Sequence, residues 1–216
     1  MTAAIDIAGA RLRPDDLVEL RALVETGASK SLPRRVLLVV DFRPSMLQGR
    51  SRAFRSVAAA EALTVLGWQV AEAGGYVGLM TLGTGAPVRV PLASGAAGMR
   101  QVISGFVRGH ETAAAHATAG LLDDMPLDRL LSVLDLSGEE SCAVVIASGF
   151  EFPGGGCAAL LQALSAKHPV RLVHVTDAAE AEDTTGQDRA LGLPVVTLDA
   201  GLPPEAMPSV LAEMFR

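Results

Sequence analysis

Two loops that follow apolar, strand-sized segments hold the polar side chains with the clearest chemical potential. Asp41 and Ser45 come directly after the first of these segments, and Ser148 and Glu151 follow a second one farther along the chain. In an open doubly wound sheet, ligands bind beyond the carboxyl ends of the strands. These two loops are therefore where a binding site is expected.

Asp41 by itself also matches the nucleophile of an enzyme that forms an aspartyl phosphate. Such enzymes carry a second acid two positions later, and that position is Arg43 here. We therefore interpret Asp41 as a carboxylate that is hydrogen-bonded within its own loop, with Arg43 as the nearest available partner.

Three consecutive glycines, Gly154–Gly156, precede a helix that begins near Cys157. Backbone N–H groups at a helix start can bind an anion, but the Lys-Ser/Thr pair of a P-loop is missing. We favour a flexible loop and a small buried thiol at Cys157 over a phosphate site and a reactive thiolate. The alternative that stays open is a small-molecule or phosphate-binding α/β enzyme that uses the Asp41 and Gly154–Gly156 loops.

The remaining ionisable clusters have weaker patterns. His110 and His116 are six residues apart, so they point to different faces of a helix and do not form a zinc motif. Three carboxylates are predicted to form a solvated face: Asp123, Asp124 and Asp128.

The elements that must position these residues alternate between strand and helix, which predicts a three-layer, doubly wound α/β fold with a mostly parallel sheet. Arg35–Phe42 and Cys142–Ala147 are continuous apolar runs, typical of central strands covered on both faces. The turn at Thr84–Pro87 predicts that Val88–Leu92 is an antiparallel edge strand beside Tyr76–Leu82. Further strands are predicted at Val170–Val175 and Val195–Leu198, and helices at Ser51–Ala73, Gly98–Val107, Thr112–Leu134 with a break at Pro126, Cys157–Ala166 and Pro204–Phe215.

The chain divides into an N-terminal helix and linker over 1–33 and a main domain over 34–216. Pro14 starts the first helix and Gly27 is a plausible stop. The polar segment Ala178–Arg189 offers almost no large apolar side chain, so we predict a mobile loop there.

Composition excludes several classes of function. Half of the 216 residues are hydrophobic, and the formal net charge is −6 without any basic run, so nucleic acid is not an expected partner. The longest apolar runs are far shorter than a membrane span, and no signal peptide is recognisable at the start, so we expect a cytoplasmic protein without a membrane span. Two cysteines are too few for a disulfide framework.

Four segments, in this order and spacing, resemble the domain-of-unknown-function family DUF58, and the resemblance extends from Leu12 to Leu198. They are VVDFRPSM before an alanine-rich helix, then GGYVGLMTLG, then VVIASGFE, and finally KHPVRLVHVTDAAEAE. The resemblance implies a von Willebrand factor A-like core with a metal-ion site at the strand ends.

That metal site implies a D-x-S-x-S loop, a threonine from a later loop and the aspartate of an S-D-F motif. Asp41 and Ser45 remain, whereas Arg43 replaces the middle hydroxyl and Gly149 replaces the second aspartate. Two positions are candidates for the threonine loop: Thr112 and the neighbourhood of Pro126. We predict a degenerate metal site, without metal or other cofactor.

The resemblance further implies a non-catalytic protein–protein interaction module, with a MoxR-type AAA+ ATPase as a candidate partner. We expect Arg43 to pair with Asp41 and to present a positive charge to an acidic group of that partner. The residues expected to contact a partner are Phe42, Arg43, Met46, Leu47, Phe150 and Phe152.

Overall fold

Six strands form one sheet in the computed structural model, which describes residues 11–24, 32–49, 52–134, 141–177 and 191–215. The two central strands are the continuous apolar runs of the sequence, and almost every residue in them is buried. The strands are β1 (Arg35–Asp41), β2 (Tyr76–Leu82), β3 (Arg89–Ser94), β4 (Ala143–Ser148), β5 (Val170–Thr176) and β6 (Val195–Asp199).

The strand order is β3-β2-β1-β4-β5-β6, and only the β2–β3 pair is antiparallel. This confirms the predicted mostly parallel α/β sheet with an antiparallel edge strand. The strand order reverses between β1 and β4, and their register pairs Val40 with Ala147. Asp41 and Ser148, the next residue of each strand, therefore lie side by side at the carboxyl edge of the sheet.

Helices cover both faces of the sheet and complete the three layers. Alternate residues of β1 belong to two separate apolar clusters, because successive side chains of a strand point to opposite faces. The helices are α1 (Pro14–Glu19), α2 (Arg55–Glu72), α3 (Gly95–Thr118), α4 (Leu127–Leu131), α5 (Cys157–Ser165) and α6 (Met207–Leu211).

Two helix predictions need correction. The segments predicted as separate helices at Gly98–Val107 and from Thr112 onward form one continuous helix, α3. Gly109 lies between the two segments but stays helical, and it is packed against Phe42 and Thr81. Pro126 instead precedes α4 in an extended conformation, and the loop before it leads to the carboxyl edge. The closing helix predicted at Pro204–Phe215 is α6 with a short 3-10 turn on each side.

The N-terminal helix α1 packs on the same core as the rest of the domain. Leu17 is fully buried, and its carbonyl accepts a hydrogen bond from Trp68 Nε1 at 3.3 Å. Arg21 lies over the Trp68 ring and pairs with Glu72 at 2.8 Å. The domain boundary at residue 33 stays a prediction.

Two further predictions concern a mobile loop and the absence of a membrane span. The predicted mobile loop Ala178–Arg189 lies outside the described residues. Within the described part of the chain, no helix combines the length and the apolar character that crossing a bilayer requires.

Removing the Trp68 indole tests the packing of α1. Trp68→Phe loses the hydrogen bond to Leu17 and the contact with Arg21, so we expect a loss of about 1–2 kcal/mol in the free energy of unfolding. Urea denaturation measures it, with the half-exposed Tyr76 as the matched aromatic control: Tyr76→Phe should stay within about 0.5 kcal/mol of the unmodified protein. Equal effects of the two substitutions would show that the contacts of the Trp68 indole with Leu17 and Arg21 add nothing to stability.

Candidate functional site

The site begins with the buried carboxylate of Asp41 at the end of β1. Asp41 is fully buried, and Ser148 at the end of the neighbouring strand donates a hydrogen bond to its Oδ2 at 2.7 Å. This hydrogen bond from the end of β4 therefore helps to hold the Asp41 carboxylate in place. A buried carboxylate requires a positive partner.

Arg43, two residues later, supplies that partner. Its Nε lies 3.1 Å from Asp41 Oδ1 and 3.0 Å from Oδ2, and its Nη2 lies 2.8 Å from Oδ2. The backbone N–H of Arg43 adds a bond of 2.9 Å to Oδ1. Both side chains are fully buried, so the predicted pairing of Asp41 with Arg43 is present as a buried ion pair.

The rest of the Arg43 guanidinium holds two further loops. Nη1 donates to the carbonyls of Met125 at 2.9 Å and Phe152 at 3.3 Å, and Nη2 donates to the carbonyl of Glu151 at 2.9 Å. A guanidinium has five N–H donors, and these contacts use all of them. We call Arg43, Asp41 and the carbonyls of Met125, Glu151 and Phe152 the arginine clamp.

A second arginine supports the clamp from α2. Arg55 pairs with the carboxylate of Glu151, and its Nη2 donates to the carbonyl of Ser45 at 2.6 Å. The backbone N–H of Ser45 in turn donates to Asp124 Oδ1 at 3.0 Å. The loop after β1 is therefore tied to both of the other loops.

The charge of Arg43 is secure although the side chain is buried. Burial opposes the charged form, but the carboxylates of Asp41, Asp124 and Glu151 outweigh burial and raise the pKa of Arg43 above its ordinary value. Arg43 therefore stays positively charged at neutral pH.

The loop after β4 has an unusual backbone. Phe150 and Phe152 have φ angles of 53° and 48°, in the left-handed region that side chains other than glycine seldom adopt. Phe150 is buried, and its ring packs edge-on against His174. Its backbone N–H bonds to Ser148 Oγ at 2.9 Å, so packing and hydrogen bonding explain the strain at Phe150.

The residues at the implied metal site do not fit a hard cation. Both oxygens of Asp41 already accept hydrogen bonds, and the guanidinium of Arg43 offers only donors where a hydroxyl ligand would lie. Gly149 has no side chain to coordinate an ion. Among the described residues, no group of three or more His, Cys, Asp and Glu side chains could hold a metal ion.

The geometry also separates the two candidates for the third loop. Thr112 is exposed on α3, and its hydroxyl donates to the carbonyl of Arg108 within the same helix. The segment just before Pro126 instead supplies the Met125 carbonyl and the Asp124 carboxylate to the clamp. Of the two candidates, the segment near Pro126 is the one that contributes atoms to this edge of the sheet.

The glycine loop is closed by a carboxylate from the chain itself. The backbone N–H of Gly156 donates to Asp128 Oδ2 at 2.9 Å, and a Cβ built on Gly154 would lie 2.3 Å from the same carboxyl group. The predicted solvated role of Asp128 is thus wrong, and this carboxylate already accepts the hydrogen bond that the Gly156 N–H could offer to an anion. Burial and Asp128 raise the pKa of the Cys157 thiol to about 11, which keeps it protonated at neutral pH.

The expected exposed contact residues are mostly buried. At most 2 % of Phe42, Met46, Leu47 and Phe150 is exposed, so the prediction that they form a surface is wrong. Phe42 packs edge-on against His110, and Met46 Sδ accepts a hydrogen bond from the Gly149 N–H at 3.1 Å. These apolar side chains turn inward and join the two core clusters, because burying apolar surface is favourable.

Arg43 also departs from its expected role towards a partner. It is fully buried and its donors are all used within the chain, so it presents no positive charge to an acidic group outside. Phe152 alone among the expected contact residues is exposed, at 66 %.

Sequence reasoning missed three parts of the site: the role of Arg55, the buried role of Asp124, and the carbonyl acceptors of Met125, Glu151 and Phe152. Arg55 carried a usable signal, since an arginine in the first turn of a helix that is apolar nearly all round must find a buried partner. Asp124 carried none, because a carboxylate beside Asp123 in a polar loop also fits a solvated surface.

The fold and the site define a doubly wound α/β domain whose carboxyl edge is closed by a buried arginine. The family model described as protein of unknown function DUF58 matches residues 27–187. The chain belongs to this family, and the predicted resemblance is confirmed.

Solved structures with low sequence identity are also similar. The conserved hypothetical protein BatB from Bacteroides thetaiotaomicron is 12 % identical with a TM-score of 0.49, and the match covers 83 % of this chain and 97 % of that chain. A von Willebrand factor type A protein from Catenulispora acidiphila is 16 % identical with a TM-score of 0.49, and the match covers 83 % of this chain and 41 % of that chain. No curated protein matches the sequence.

Removal of the guanidinium tests the clamp. Arg43→Ala leaves Asp41 buried without a counter-charge, and we expect a loss of about 3–5 kcal/mol in the free energy of unfolding. Arg43→Lys should lose most of the same stability, because an ammonium group cannot reach three loops at once. Urea denaturation measures both, with the exposed Arg129→Ala as the control. A cost below about 1 kcal/mol for Arg43→Ala would refute the clamp.

Adding Mg²⁺ or Mn²⁺ is a second test of the same site. Mg²⁺ or Mn²⁺ should leave the melting temperature of the unmodified protein unchanged, because Arg43 already occupies the cation position. Arg43→Ser with Gly149→Asp should create Mg²⁺ affinity, provided that Glu151 rotates, since a Cβ on Gly149 would lie 2.6 Å from Glu151 Oε2. Calorimetric titration checks both. Saturable binding to the unmodified protein that Asp41→Ala abolishes would contradict this prediction.

Proposed function

We propose that this DUF58 protein is a non-catalytic protein–protein interaction module that binds its partner at the carboxyl edge of the sheet. A MoxR-type AAA+ ATPase is the candidate partner, on the strength of the family. The observation that supports the contact surface is a group of exposed apolar side chains on the two loops that meet at Arg43. We call this group the rim patch: Leu121, Leu122, Met125 and Phe152.

Two members of the rim patch, Met125 and Phe152, lie close together because the clamp joins their backbones. The carbonyls of Met125 and Phe152 accept hydrogen bonds from the same Nη1 atom of Arg43. Leu127 N–H also donates to the Phe152 carbonyl at 3.0 Å. Exposed apolar groups that cluster in this way commonly mark interaction sites, and aromatic anchors at their centre carry much of the binding energy.

Phe152 supports the proposal most strongly. It combines a left-handed backbone with a side chain that is 66 % exposed. Strain of this kind costs of order 1–3 kcal/mol and persists where the surrounding structure imposes it, often at functional sites. Burial cannot offset this cost within the chain alone, so contact with a partner is the better explanation for an exposed phenylalanine here.

The absence of catalysis in the proposal rests on the chemistry of the two loops first considered for it. Asp41 accepts hydrogen bonds on both oxygens, which leaves no free lone pair directed outward for attack. Asp128 turns the glycine loop into an internal contact and would repel a phosphate. These contacts favour an interaction module over the alternative of a phosphate-handling enzyme.

The substitution Phe152→Gly should weaken partner binding without lowering the stability of the fold. Glycine relieves the left-handed backbone, so the free energy of unfolding should stay the same or rise by up to about 1 kcal/mol. Binding to the purified MoxR-type ATPase should weaken at least about tenfold, which corresponds to the loss of 1.4 kcal/mol. Titration calorimetry measures binding and urea denaturation measures stability.

The matched control is Val18→Ser, which changes an exposed apolar residue on α1, away from the carboxyl edge. It should leave binding unchanged. Unaltered binding of Phe152→Gly would show that the rim patch is not the contact surface. Failure of the unmodified protein to bind the ATPase would refute that partner.

A further inference from the structure

Most of the buried polar atoms near the clamp that have no hydrogen-bond partner among the described residues are carboxylate oxygens, which accept hydrogen bonds. All five donors of Arg43 are occupied, yet three buried carboxylate oxygens near it receive no hydrogen bond from the described residues. Asp124 has 7 % of its side chain exposed, and its Oδ2 lies 4.0 Å from Arg43 Nη1. The three oxygens are Asp124 Oδ2, Asp128 Oδ1 and Glu151 Oε2.

The charged side chains of the same loops are mostly acidic. The acidic residues there are Asp41, Asp123, Asp124, Asp128 and Glu151. The basic residues in the described part of these loops are Arg43, Arg52, Arg55 and Arg129. The first three are paired with carboxylates within the chain, Arg52 with Glu61 of α2. The rim therefore carries a negative field and a surplus of hydrogen-bond acceptors.

We propose that the rim patch binds a partner segment that combines apolar side chains with lysine or arginine, and that it discriminates against acidic segments. This inference rests on the proposed function and adds the chemistry of the partner. The exposed apolar residues Phe152 and Met125 contact the apolar side chains of that segment, and the adjacent carboxylates Asp123 and Asp124 attract its cations. Charge complementarity of this type selects partners and speeds their association.

Two synthetic helical peptides test the proposal on the full chain. They share their leucine positions and carry either lysine or glutamate at the polar positions. The lysine peptide should bind at least about tenfold more tightly by titration calorimetry, and high salt should weaken its binding. Asp123→Asn and the double variant Asp123→Asn with Asp124→Asn should weaken the lysine peptide progressively, and circular dichroism checks that both variants are folded.

The matched control is Glu213→Gln, which removes an exposed carboxylate next to Met214. The Met214 carbonyl accepts a hydrogen bond from Arg171 Nε near the start of β5, at the opposite edge of the sheet. It should leave binding unchanged, and equal weakening by this control would overturn the proposal as non-specific attraction. Equal or tighter binding of the glutamate peptide, or no binding of either peptide, would also overturn it. Binding of the ATPase that Phe152→Gly still abolishes would then leave the proposed function standing.

Discussion

The buried contact between Asp41 and Arg43 is the constraint on which the geometry of the carboxyl edge depends. An ion pair inside a protein is favourable only when its remaining donors and acceptors are also satisfied. Ser148 and the carbonyls of Met125, Glu151 and Phe152 meet that requirement. One guanidinium thereby joins loops that are more than eighty residues apart in sequence, since Arg43 and Met125 differ by 82 positions.

The position of the rim patch follows from this contact. Because Arg43 draws the carbonyls of Met125 and Phe152 to one nitrogen atom, their side chains are left on the outer surface. The sheet fixes the positions of Asp41 and Ser148. The hydrogen bonds of the clamp in turn hold the loops against Asp41 and Arg43. The edge that a metal ion would organise in a related site is organised here by a side chain of the chain itself.

The sequence was informative where a single local pattern decides the structure. Continuous apolar runs predicted β1 and β4, and the proximity of Arg43 to Asp41 predicted their pairing. The direction of the loop side chains was not predictable, because Phe42 and Phe152 look equivalent as apolar loop residues. Their opposite exposure depends on the backbone at Phe152 and on hydrogen bonds from Arg43, which involve distant segments. Asp124 was missed for the same reason.

The most direct measurement of the central claim is the side-chain ¹⁵Nε–¹Hε resonance of Arg43 in solution, assigned by its disappearance in Arg43→Lys. A buried Nε–H that donates to Asp41 should exchange with solvent much more slowly than that of the exposed Arg129. Its position should also not change when Mg²⁺ is added or removed by a chelator. Exchange as fast as that of Arg129, or a saturable shift on addition of Mg²⁺, would contradict the clamp.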